Sequence, residues 1–407
     1  MSNSIIALDL GSTKIAVLIG RVEEDIEILG FSLVPSQGIK YGSIVDINSA
    51  SNCIAEAVKK ACRMSREKIE PKVIVGIGND QVMTKQSRGM IIVKNKDLQI
   101  NEQDVERVLE AAKATPIPPG KEIIYVMRRE FLVDGQNNVD NPIGLAGTRL
   151  EVDVLLITYD ITQLTNIRNA LERADLEVEG FIPKEIASSS AVLSSEEKKL
   201  GVALADIGGD LTSLAVYKDG YILSIGTLRL GGEKITKDLA VGLKIKTEEA
   251  ERAKKLIGSL KSDKEEYLDV ISLQEKTIKI STSQVREIIR PRVEEILEFI
   301  EKKFKDLNYP LELIPGGLVV TGGTSLLDGF IEFASDYLKI PVRMGFPTEL
   351  TKYIPKEDSY FYSVAMGILL RVREDRLNLK KRSSLFQNIK YKIRDIFKPF
   401  KDIYFII

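Results

Sequence analysis

One strand–turn–strand pattern occurs twice in the chain, and it constrains the fold more than any other feature. In the first copy, residues 5–20, two apolar runs flank the polar turn D-L-G-S-T-K. In the second copy, residues 201–217, two apolar runs flank the turn D-I-G-G-D. Glycine permits the tight backbone turn that such a hairpin needs. The turn aspartates, Asp9 and Asp206, are 197 residues apart, so the repeat predicts two related halves rather than a solenoid of short repeats.

Composition excludes several classes of protein. The chain has 407 residues, 44% of them hydrophobic and 29% charged, which is typical of a globular protein of two or three domains. It contains no histidine, which excludes Ser-His-Asp catalysis, Cys-His catalysis and histidine metal sites. The N-terminus lacks the features of a signal peptide, and no apolar run approaches ~18 residues. We therefore expect a cytoplasmic protein without a membrane-spanning helix.

The segment between the two copies of the pattern has a different character. It contains β-type runs at 90–93, 122–126, 130–133 and 150–158 and a helical stretch at 102–114. This mixture predicts a small α+β subdomain inserted into the first half. The predicted units are the first half of domain I over 1–81, the insert over 82–160, the return to domain I and a linking helix over 161–200, domain II over 201–370, a basic linker over 371–383 and an amphipathic tail over 384–407.

The two turns carry the residue types of a phosphate site. Backbone N–H groups in a glycine turn can bind phosphate oxygens, and the hydroxyl residues of the turns can donate further hydrogen bonds. Lys14 adds a point charge. Because Mg²⁺ keeps much of its hydration shell, Asp9 and Asp206 could hold it through water molecules. The predicted binding residues of the turns are Asp9, Gly11, Ser12, Thr13, Lys14, Asp206, Gly208, Gly209, Asp210 and Thr212.

Two further elements could bind the nucleoside of a nucleotide. An apolar run leads into Gly322, Gly323 and Thr324, and glycines at a strand–helix junction let a ligand approach the backbone closely. Glu251 and Lys254 lie at i, i+3 on one helix face and could bind a ribose and a base. The alternatives are a generic strand–helix junction and a surface ion pair worth a few tenths of a kcal/mol. The chain has no G-x-x-x-x-G-K-[ST] loop, so the site would be of a different type.

Taken in order, these motifs resemble the actin and heat-shock ATPase superfamily. IIALDLGSTK and ALADIGGDLTSLAVY resemble its two phosphate turns, and LVVTGGTSLLDG resembles its nucleoside motif. Within it, SQGIKYGSIVDI at 36–47, TLRLGGEKITKDLAVGL at 227–243 and EEAERAK at 248–254 resemble the FtsA family of bacterial cell-division proteins. The resemblance implies an actin-like α/β fold of two related halves around a nucleotide cleft, with an inserted small α+β subdomain that contacts neighbours. It also implies ATP and Mg²⁺ as ligands, self-association into filaments, and binding to the tubulin-like FtsZ.

The second turn departs from the family pattern Asp-Ile-Gly-Gly-Gly-Thr-Thr-Asp. Asp210 replaces a glycine, Leu211 a hydroxyl residue and Ser213 an aspartate. A carboxylate beside a phosphate is repulsive unless a cation compensates, so the change bears on hydrolysis more than on binding. Phosphoryl transfer requires a residue that orients water. The candidates for this role are Glu185, Asp206 and Asp210.

The C-terminal segment combines apolar spacing with positive charge. Residues 376–407 contain nine Lys or Arg and two Asp, whereas the rest of the chain is acidic. Ser384 and Gln387 form a capping box, which predicts that a helix begins there with one apolar and one basic face. Such a helix suits an anionic membrane surface, and docking on the protein's own body is the alternative. The predicted membrane residues are Leu385, Phe386, Ile389, Lys390, Ile393, Arg394, Ile396, Phe397 and Lys398.

The residue patterns predict an ATP-binding, membrane-attached protein, and the resemblance implies that it is an actin-like protein of cell division. We expect it at the division site, peripheral on the cytoplasmic face of the plasma membrane, with weak ATPase activity at most. Its predicted partners are FtsZ filaments, which it would tether there, other division proteins, further copies of itself and anionic lipid, but not nucleic acid. Two alternatives remain open: a structural adaptor with little or no ATP turnover, and a pilus-assembly actin-like protein that also carries an inserted subdomain.

Overall fold

Two five-stranded sheets with the same strand order form the frame of the protein. The structure is a computed structural model that describes residues 4–65, 67–95, 97–261, 265–385 and 405–406. In each of the two sheets, an antiparallel three-stranded meander is extended by two parallel strands. The repeated sequence pattern is therefore a repeated topology, and the expected α/β architecture of two related halves is confirmed.

The first half contains one of these sheets and four of the helices. In spatial order its strands are β11 (Glu177–Pro183), β6 (Lys72–Ile77), β1 (Ser4–Leu10), β2 (Lys14–Val22) and β3 (Ile26–Pro35). A two-stranded hairpin, β4 (Ile39–Lys40) and β5 (Ser43–Ile44), follows β3. The helices are α1 (Ile47–Cys62), α3 (Ile161–Glu172), α4 (Lys184–Val192) and the C-terminal α11 (Ser363–Leu385).

The second half repeats the sheet and adds longer helices. In spatial order its strands are β14 (Tyr221–Leu228), β13 (Thr212–Lys218), β12 (Val202–Ile207), β17 (Leu318–Thr321) and β18 (Val342–Met344). A separate hairpin is formed by β15 (Tyr267–Ile271) and β16 (Thr277–Ser281). The helices are α5 (Ser195–Leu200), α6 (Gly232–Leu243), α7 (Thr247–Ile257), α8 (Thr282–Asp306), α9 (Phe330–Leu338) and α10 (Lys356–Ser359).

The turns of the two sequence copies are closed by the same backbone hydrogen bond. The N–H of Gly11 donates to the carbonyl of Lys14 at 3.0 Å, and the N–H of Gly208 donates to the carbonyl of Leu211 at 2.9 Å. The strands before them, β1 and β12, are almost entirely buried because each has a neighbour on both sides. Both turns therefore lie at the carboxyl ends of central strands, where open α/β sheets bind ligands.

The inserted segment forms a sheet with its own core. Its strands β7 (Met83–Ile92), β8 (Lys121–Val133), β9 (Gln136–Val139) and β10 (Arg149–Asp160) carry α2 (Glu102–Lys113) on one face, and β19 (Phe405–Ile406) pairs with β8. The strands are longer than the β-type runs of the sequence predicted. β8 continues through Arg128 and Arg129, which lie between two of the predicted β-type runs. Arg129 is accommodated because its guanidinium donates to the carbonyl of Ile222 at 3.0 Å.

Helices α4 and α11 cross between the two halves in very close contact. A Cβ atom built on Gly367 of α11 would lie 1.7 Å from the carbonyl oxygen of Ala187 in α4, so only glycine fits there. On its other side α11 packs on the first sheet at two further glycines. A Cβ on Gly76 would lie 2.4 Å from Val364, and a Cβ on Gly20 would lie 2.8 Å from Leu369. Three glycines therefore allow α11 to approach both α4 and the sheet.

The predicted linker over 371–383 and the predicted helix start at Ser384 are wrong. Both lie inside α11, which runs from Ser363 to Leu385. Between Gly367 and Pro399 the chain has no glycine or proline, and it is rich in Leu, Lys and Arg, which favour helix, so nothing ends the helix at 371. Arg371 and Val372 are buried and belong to the body of the protein. The remaining predicted membrane residues, from Phe386 to Lys398, lie outside the described residues.

Within the part of the chain that the structure describes, none of the helices combines the length and the apolar character that a bilayer crossing requires.

The α4–α11 contact yields a test of what holds the two halves together. We expect Gly367→Ala to lower the free energy of unfolding by about 3 kcal/mol or more, because the added methyl group meets a backbone oxygen that cannot move aside. Chemical unfolding measures the change. The matched control is Gly242→Ala in α6, where the methyl group meets only the end of the Ile288 side chain. There we expect a small change or a gain, since alanine favours helix by about 1 kcal/mol. Equal effects at both positions would contradict the argument.

Candidate functional site

The two repeated turns face each other across one cavity of about 80 Å³ between the halves. The turns are in contact, since a Cβ atom on Gly209 would lie 2.3 Å from the side chain of Thr13. The junction after β17 and the segment before α11 complete the walls. The lining residues are Asp9, Leu10, Gly11, Ser12, Thr13, Lys14, Gly42, Lys184, Asp206, Gly208, Gly209, Asp210, Leu211, Ser213, Gly322, Gly323, Tyr360, Phe361, Ser363 and Val364.

Most of the predicted phosphate-binding residues are therefore brought together. Eleven of the fifteen predicted nucleotide-binding residues line this cavity, including both turn aspartates and Lys14. Asp9 and Asp206, which are 197 positions apart in the sequence, meet because β1 and β12 end at the same cleft. Nine further lining residues were not predicted from the sequence: Leu10 and Leu211 of the turns, Gly42, Lys184, Ser213, and Tyr360, Phe361, Ser363 and Val364 of one C-terminal segment. Only the α4–α11 crossing places Lys184 and that segment here, and no spacing pattern in the sequence indicates it.

Buried charges of both signs share the cavity. Burial lowers the pKa of Lys14 to about 8, although the charges of Asp9 and Asp206 oppose the shift. The Lys14 ammonium lies 3.6 Å from the centre of the Phe361 ring, an arrangement that stabilises a cation. Burial, together with the charge of Asp9, raises the pKa of Asp206 to about 6. The cavity therefore holds cations and carboxylates that lack the full solvation that water would give them.

Asp210 joins the two halves at the rim of the cavity. Its Oδ2 atom accepts a hydrogen bond from the backbone N–H of Tyr41 at 3.2 Å. Beside it, Arg229 of the second half pairs with Asp80 of the first half at 2.8 Å, and its guanidinium lies 5.4 Å from the centre of the Tyr41 ring. The carboxylate that replaces a glycine of the family pattern thus has a backbone partner in the opposite half.

Of the elements predicted to bind a nucleoside, Gly322 and Gly323 line the cavity, and the others connect to the second turn. Thr324 Oγ1 donates to the carbonyl of Gly208 at 2.8 Å, and the N–H of Gly232 donates to the same carbonyl at 3.0 Å. Lys254 donates to the carbonyl of Gly232 at 3.0 Å and pairs with Glu251 at 2.5 Å. Burial acts against ionisation of Glu251, but the bonds from Lys254 and Thr236 outweigh it and lower the pKa of that carboxyl. Thr324, Glu251 and Lys254 do not line the cavity among the residues described.

Glu185 and Thr212 are not among the described residues that line the cavity. Glu185 is buried, and its Oε1 atom accepts from Thr227 Oγ1 at 3.2 Å. Its burial raises the pKa of the carboxyl. Thr212 donates to the carbonyl of Leu230 at 2.8 Å, inside the second half. Of the three candidates for orienting water, the cavity lining described here contains Asp206 and Asp210 but not Glu185.

The donor set fits a hydrated Mg²⁺ ion rather than a metal held by the protein alone. Among the residues that the structure describes, there is no cluster of three or more His, Cys, Asp or Glu side chains that could hold a metal. Asp9 and Asp206 both line the cavity, and the Oδ1 atom of Asp9 is buried without a hydrogen bond of ordinary geometry. Mg²⁺ typically binds through one or two carboxylates, water and substrate phosphates. These two carboxylates satisfy that requirement.

Because the carboxyl of Asp206 is buried, we predict that its replacement stabilises the protein by an amount that depends on pH. With a pKa near 6 in the folded protein and 3.8 as its reference value, this carboxyl ionises first in the unfolded chain as the pH rises. Ionisation of Asp206 therefore lowers the free energy of unfolding progressively between pH 4 and pH 6, and by a constant amount above pH 6. We expect Asp206→Asn to raise the free energy of unfolding at pH 7 by up to about 3 kcal/mol.

Chemical unfolding of the parent and the variant at pH 4, 5, 6 and 7 measures this difference, which should shrink towards pH 4. Asp25→Asn, at an exposed position, is the control and should change stability little at any of these pH values. A difference between the parent and Asp206→Asn that does not vary with pH would refute the assignment.

Two family models match the chain. The model described as "SHS2 domain inserted in FTSA" matches residues 79–158, and the model described as "Cell division protein FtsA" matches residues 203–367. The cell division protein FtsA of Bacillus subtilis is 36% identical over 369 residues, which cover 89% of this chain and 82% of the relative. The FtsA of Pseudomonas aeruginosa is 32% identical over 377 residues, which cover 90% of this chain and 88% of the relative.

Solved structures with lower sequence identity share the fold. The type IV pilus biogenesis complex PilM-PilN superposes with a TM-score of 0.65 at 17% identity, covering 91% of this chain and 98% of the other. MreB5 of Spiroplasma citri bound to ADP gives a TM-score of 0.57 at 14% identity, covering 93% and 99%. These likenesses concern the fold alone, and they confirm the actin-like fold expected from the motifs. The family models and the relatives show that the chain belongs to the FtsA family of cell division proteins.

Proposed function

We propose that the chain binds ATP with Mg²⁺ between its two halves and that the bound nucleotide controls how the halves close. The observation that carries this proposal is the meeting of the two phosphate turns, with Lys14, Asp9 and Asp206, around one cavity. A pocket for a small ligand usually has a volume of about 300–1,000 Å³. The present cavity of about 80 Å³ is smaller, so the halves must separate at the turns to admit a nucleotide.

In this proposal each group of the cavity has a separate task. The backbone N–H groups of the turns and the hydroxyls of Ser12 and Thr13 bind phosphate oxygens. Lys14, held against the ring of Phe361, places a positive charge beside them. Asp9 and Asp206 hold the hydrated Mg²⁺, which neutralises phosphate charge when bound. Asp210 and Arg229 hold the halves together at the rim and so limit access of water to the cavity.

Calorimetric titration with ATP in the presence of Mg²⁺ tests the proposal. We expect binding by the parent chain and a loss of roughly 10- to 100-fold in affinity for Lys14→Met, because a hydrogen bond to a charged group contributes about 1.5–3 kcal/mol. Lys59→Met, at an exposed position in α1, is the control and should bind as the parent does. No heat of binding by the parent, at protein concentrations where it is folded, would refute the nucleotide proposal.

Turnover distinguishes an ATPase from a structural adaptor. Phosphate release by the parent above the level of Asp206→Ala would exclude the adaptor. One observation favours slow or absent turnover: Asp210, which replaces a glycine of the family pattern, is bonded to the opposite half. The pilus-assembly alternative is not favoured, because the family models and the curated relatives are those of cell division proteins.

We further propose that the protein self-associates, that its C-terminal segment binds anionic lipid at the cytoplasmic face of the plasma membrane, and that it tethers FtsZ filaments there. The lipid proposal rests on the alternation of apolar and basic residues over 384–398, and the FtsZ partner follows from membership of the family. Helix α11 supports the tethering, because it extends from the wall of the cavity to Leu385, where this segment begins. Self-association would multiply weak lipid contacts by avidity.

Vesicle flotation tests the lipid proposal. With vesicles that contain phosphatidylglycerol, we expect the full chain to float and Phe386→Glu with Ile393→Glu to lose at least tenfold in bound fraction, since burial of each large apolar side chain contributes about 1.5–3 kcal/mol. Phe386→Leu with Ile393→Val keeps the face apolar and is the control. A chain that ends at Leu385 retains the whole of α11 and should not float. Flotation of that shortened chain would contradict the assignment, and pull-down of FtsZ by the parent tests the partner separately.

A further inference from the structure

Lys184 places a second ammonium group in the phosphate cavity, and the sequence motifs do not account for it. It is the first residue of α4, directly after β11 ends at Pro183. Its Nζ atom lies 2.7 Å from Asp9 Oδ1 and donates to the carbonyl of Leu10 at 2.7 Å. The stem of the side chain packs against Gly78, where a Cβ atom would lie 3.4 Å from it. The ammonium is thus held at the end of β1, beside the first turn.

The charges that line the cavity show why this position matters. Three carboxylates, Asp9, Asp206 and Asp210, face two ammonium groups, Lys14 and Lys184. One negative charge remains, so a polyphosphate needs further positive charge or the release of a cation from a carboxylate. Lys14 is held against the Phe361 ring on one wall. Lys184 instead has its contact with Asp9, the carboxylate that also fits a hydrated Mg²⁺ ion.

We propose that Lys184 is a phosphate-binding residue of this site and that it supplies part of the positive charge that Mg²⁺ would otherwise have to supply. The Lys184 ammonium has three N–H donors, and its contacts with Asp9 and with the carbonyl of Leu10 leave one for a phosphate oxygen. Without metal, Lys184 is therefore the cation that compensates both Asp9 and the phosphate beside it. When Asp9 binds hydrated Mg²⁺, the metal would supply part of this positive charge, and the contribution of Lys184 to affinity becomes smaller. This inference rests on the proposed function for its ligand class, a nucleoside polyphosphate.

A purely structural role makes a different prediction. If Lys184 only tied β1 to α4 through Asp9 and the carbonyl of Leu10, its removal would lower stability and affect all ligands alike, with or without metal. If Lys184 binds phosphate, the loss of affinity that follows removal of its charge depends on Mg²⁺. This loss should be largest when the metal is absent, because no other cation then replaces the lost charge.

The experiment compares the affinities of the full chain and three variants for ATP, each measured by calorimetry with Mg²⁺ and with EDTA. Lys184→Met removes the charge and keeps the length of the stem. Lys184→Arg restores a cation. Lys59→Met is the matched control in the same half. We expect Lys184→Met to lose at least tenfold more affinity in EDTA than in Mg²⁺, Lys184→Arg to recover most of it, and Lys59→Met to behave as the parent. Thermal unfolding of each variant verifies that it is folded.

Tripolyphosphate in EDTA serves as a second probe, which separates this inference from the nucleotide proposal. If the parent binds tripolyphosphate but not ATP, the nucleotide proposal fails. The role of Lys184 is then decided by comparing the tripolyphosphate affinities of Lys184→Met and Lys184→Arg with that of the parent. If folded Lys184→Met binds either probe in EDTA as tightly as the parent does, Lys184 is not a phosphate-binding residue. Equal losses with and without Mg²⁺ would also overturn the inference, in favour of the structural role. If the parent binds neither probe, both proposals fail.

Discussion

The close crossing of α4 and α11 is the constraint on which the rest of the structure depends. Gly367 brings the two helix backbones to a distance that no side chain would permit, while Gly76 and Gly20 let α11 lie directly on the first sheet. Because α4 leads from the first half towards the second and α11 leads back to the first sheet, this contact fixes how the halves face each other. The two phosphate turns meet only in that arrangement. Helix packing remote from the chemistry thus determines the geometry of the site.

The cavity that results is electrostatically strained in a way that suits an anionic ligand with a divalent cation. Burial alone would neutralise Lys14 and Asp206, and each is kept charged partly by the other. Such an arrangement costs stability in the absence of ligand, a cost that commonly accompanies function. Lys184 reduces the cost at Asp9 by supplying a counterion at 2.7 Å. The contacts of Asp210 and Arg229 at the rim hold the halves against the repulsion that remains.

The two faces of the insert's sheet pack differently. The face towards α2 forms a separate apolar core, with residues such as Val108. The opposite face, with residues such as Tyr125, belongs to the core around α4 and α11, which also includes residues of the second half such as Leu204. Arg129 adds a hydrogen bond to the carbonyl of Ile222 in the second half. The insert is therefore anchored to the body by one face of its sheet, and a family model covers it separately from the second half.

The sequence by itself determined the repeated hairpins, the identity of the turn residues and the presence of an insert, because these follow from local rules of hydrophobic alternation and glycine conformation. The resemblance of these motifs to those of the actin and heat-shock ATPase superfamily then implied the actin-like fold and a nucleotide cleft lined by Asp9 and Asp206. Only the tertiary structure decided that Lys184 lines the cavity while the neighbouring Glu185 accepts a hydrogen bond from Thr227 of the second half, and that α11 continues through 371–385. The direction of a side chain at the start of a helix depends on packing against distant segments, and so does the position at which a helix ends. That packing cannot be predicted from the pattern of neighbouring residues.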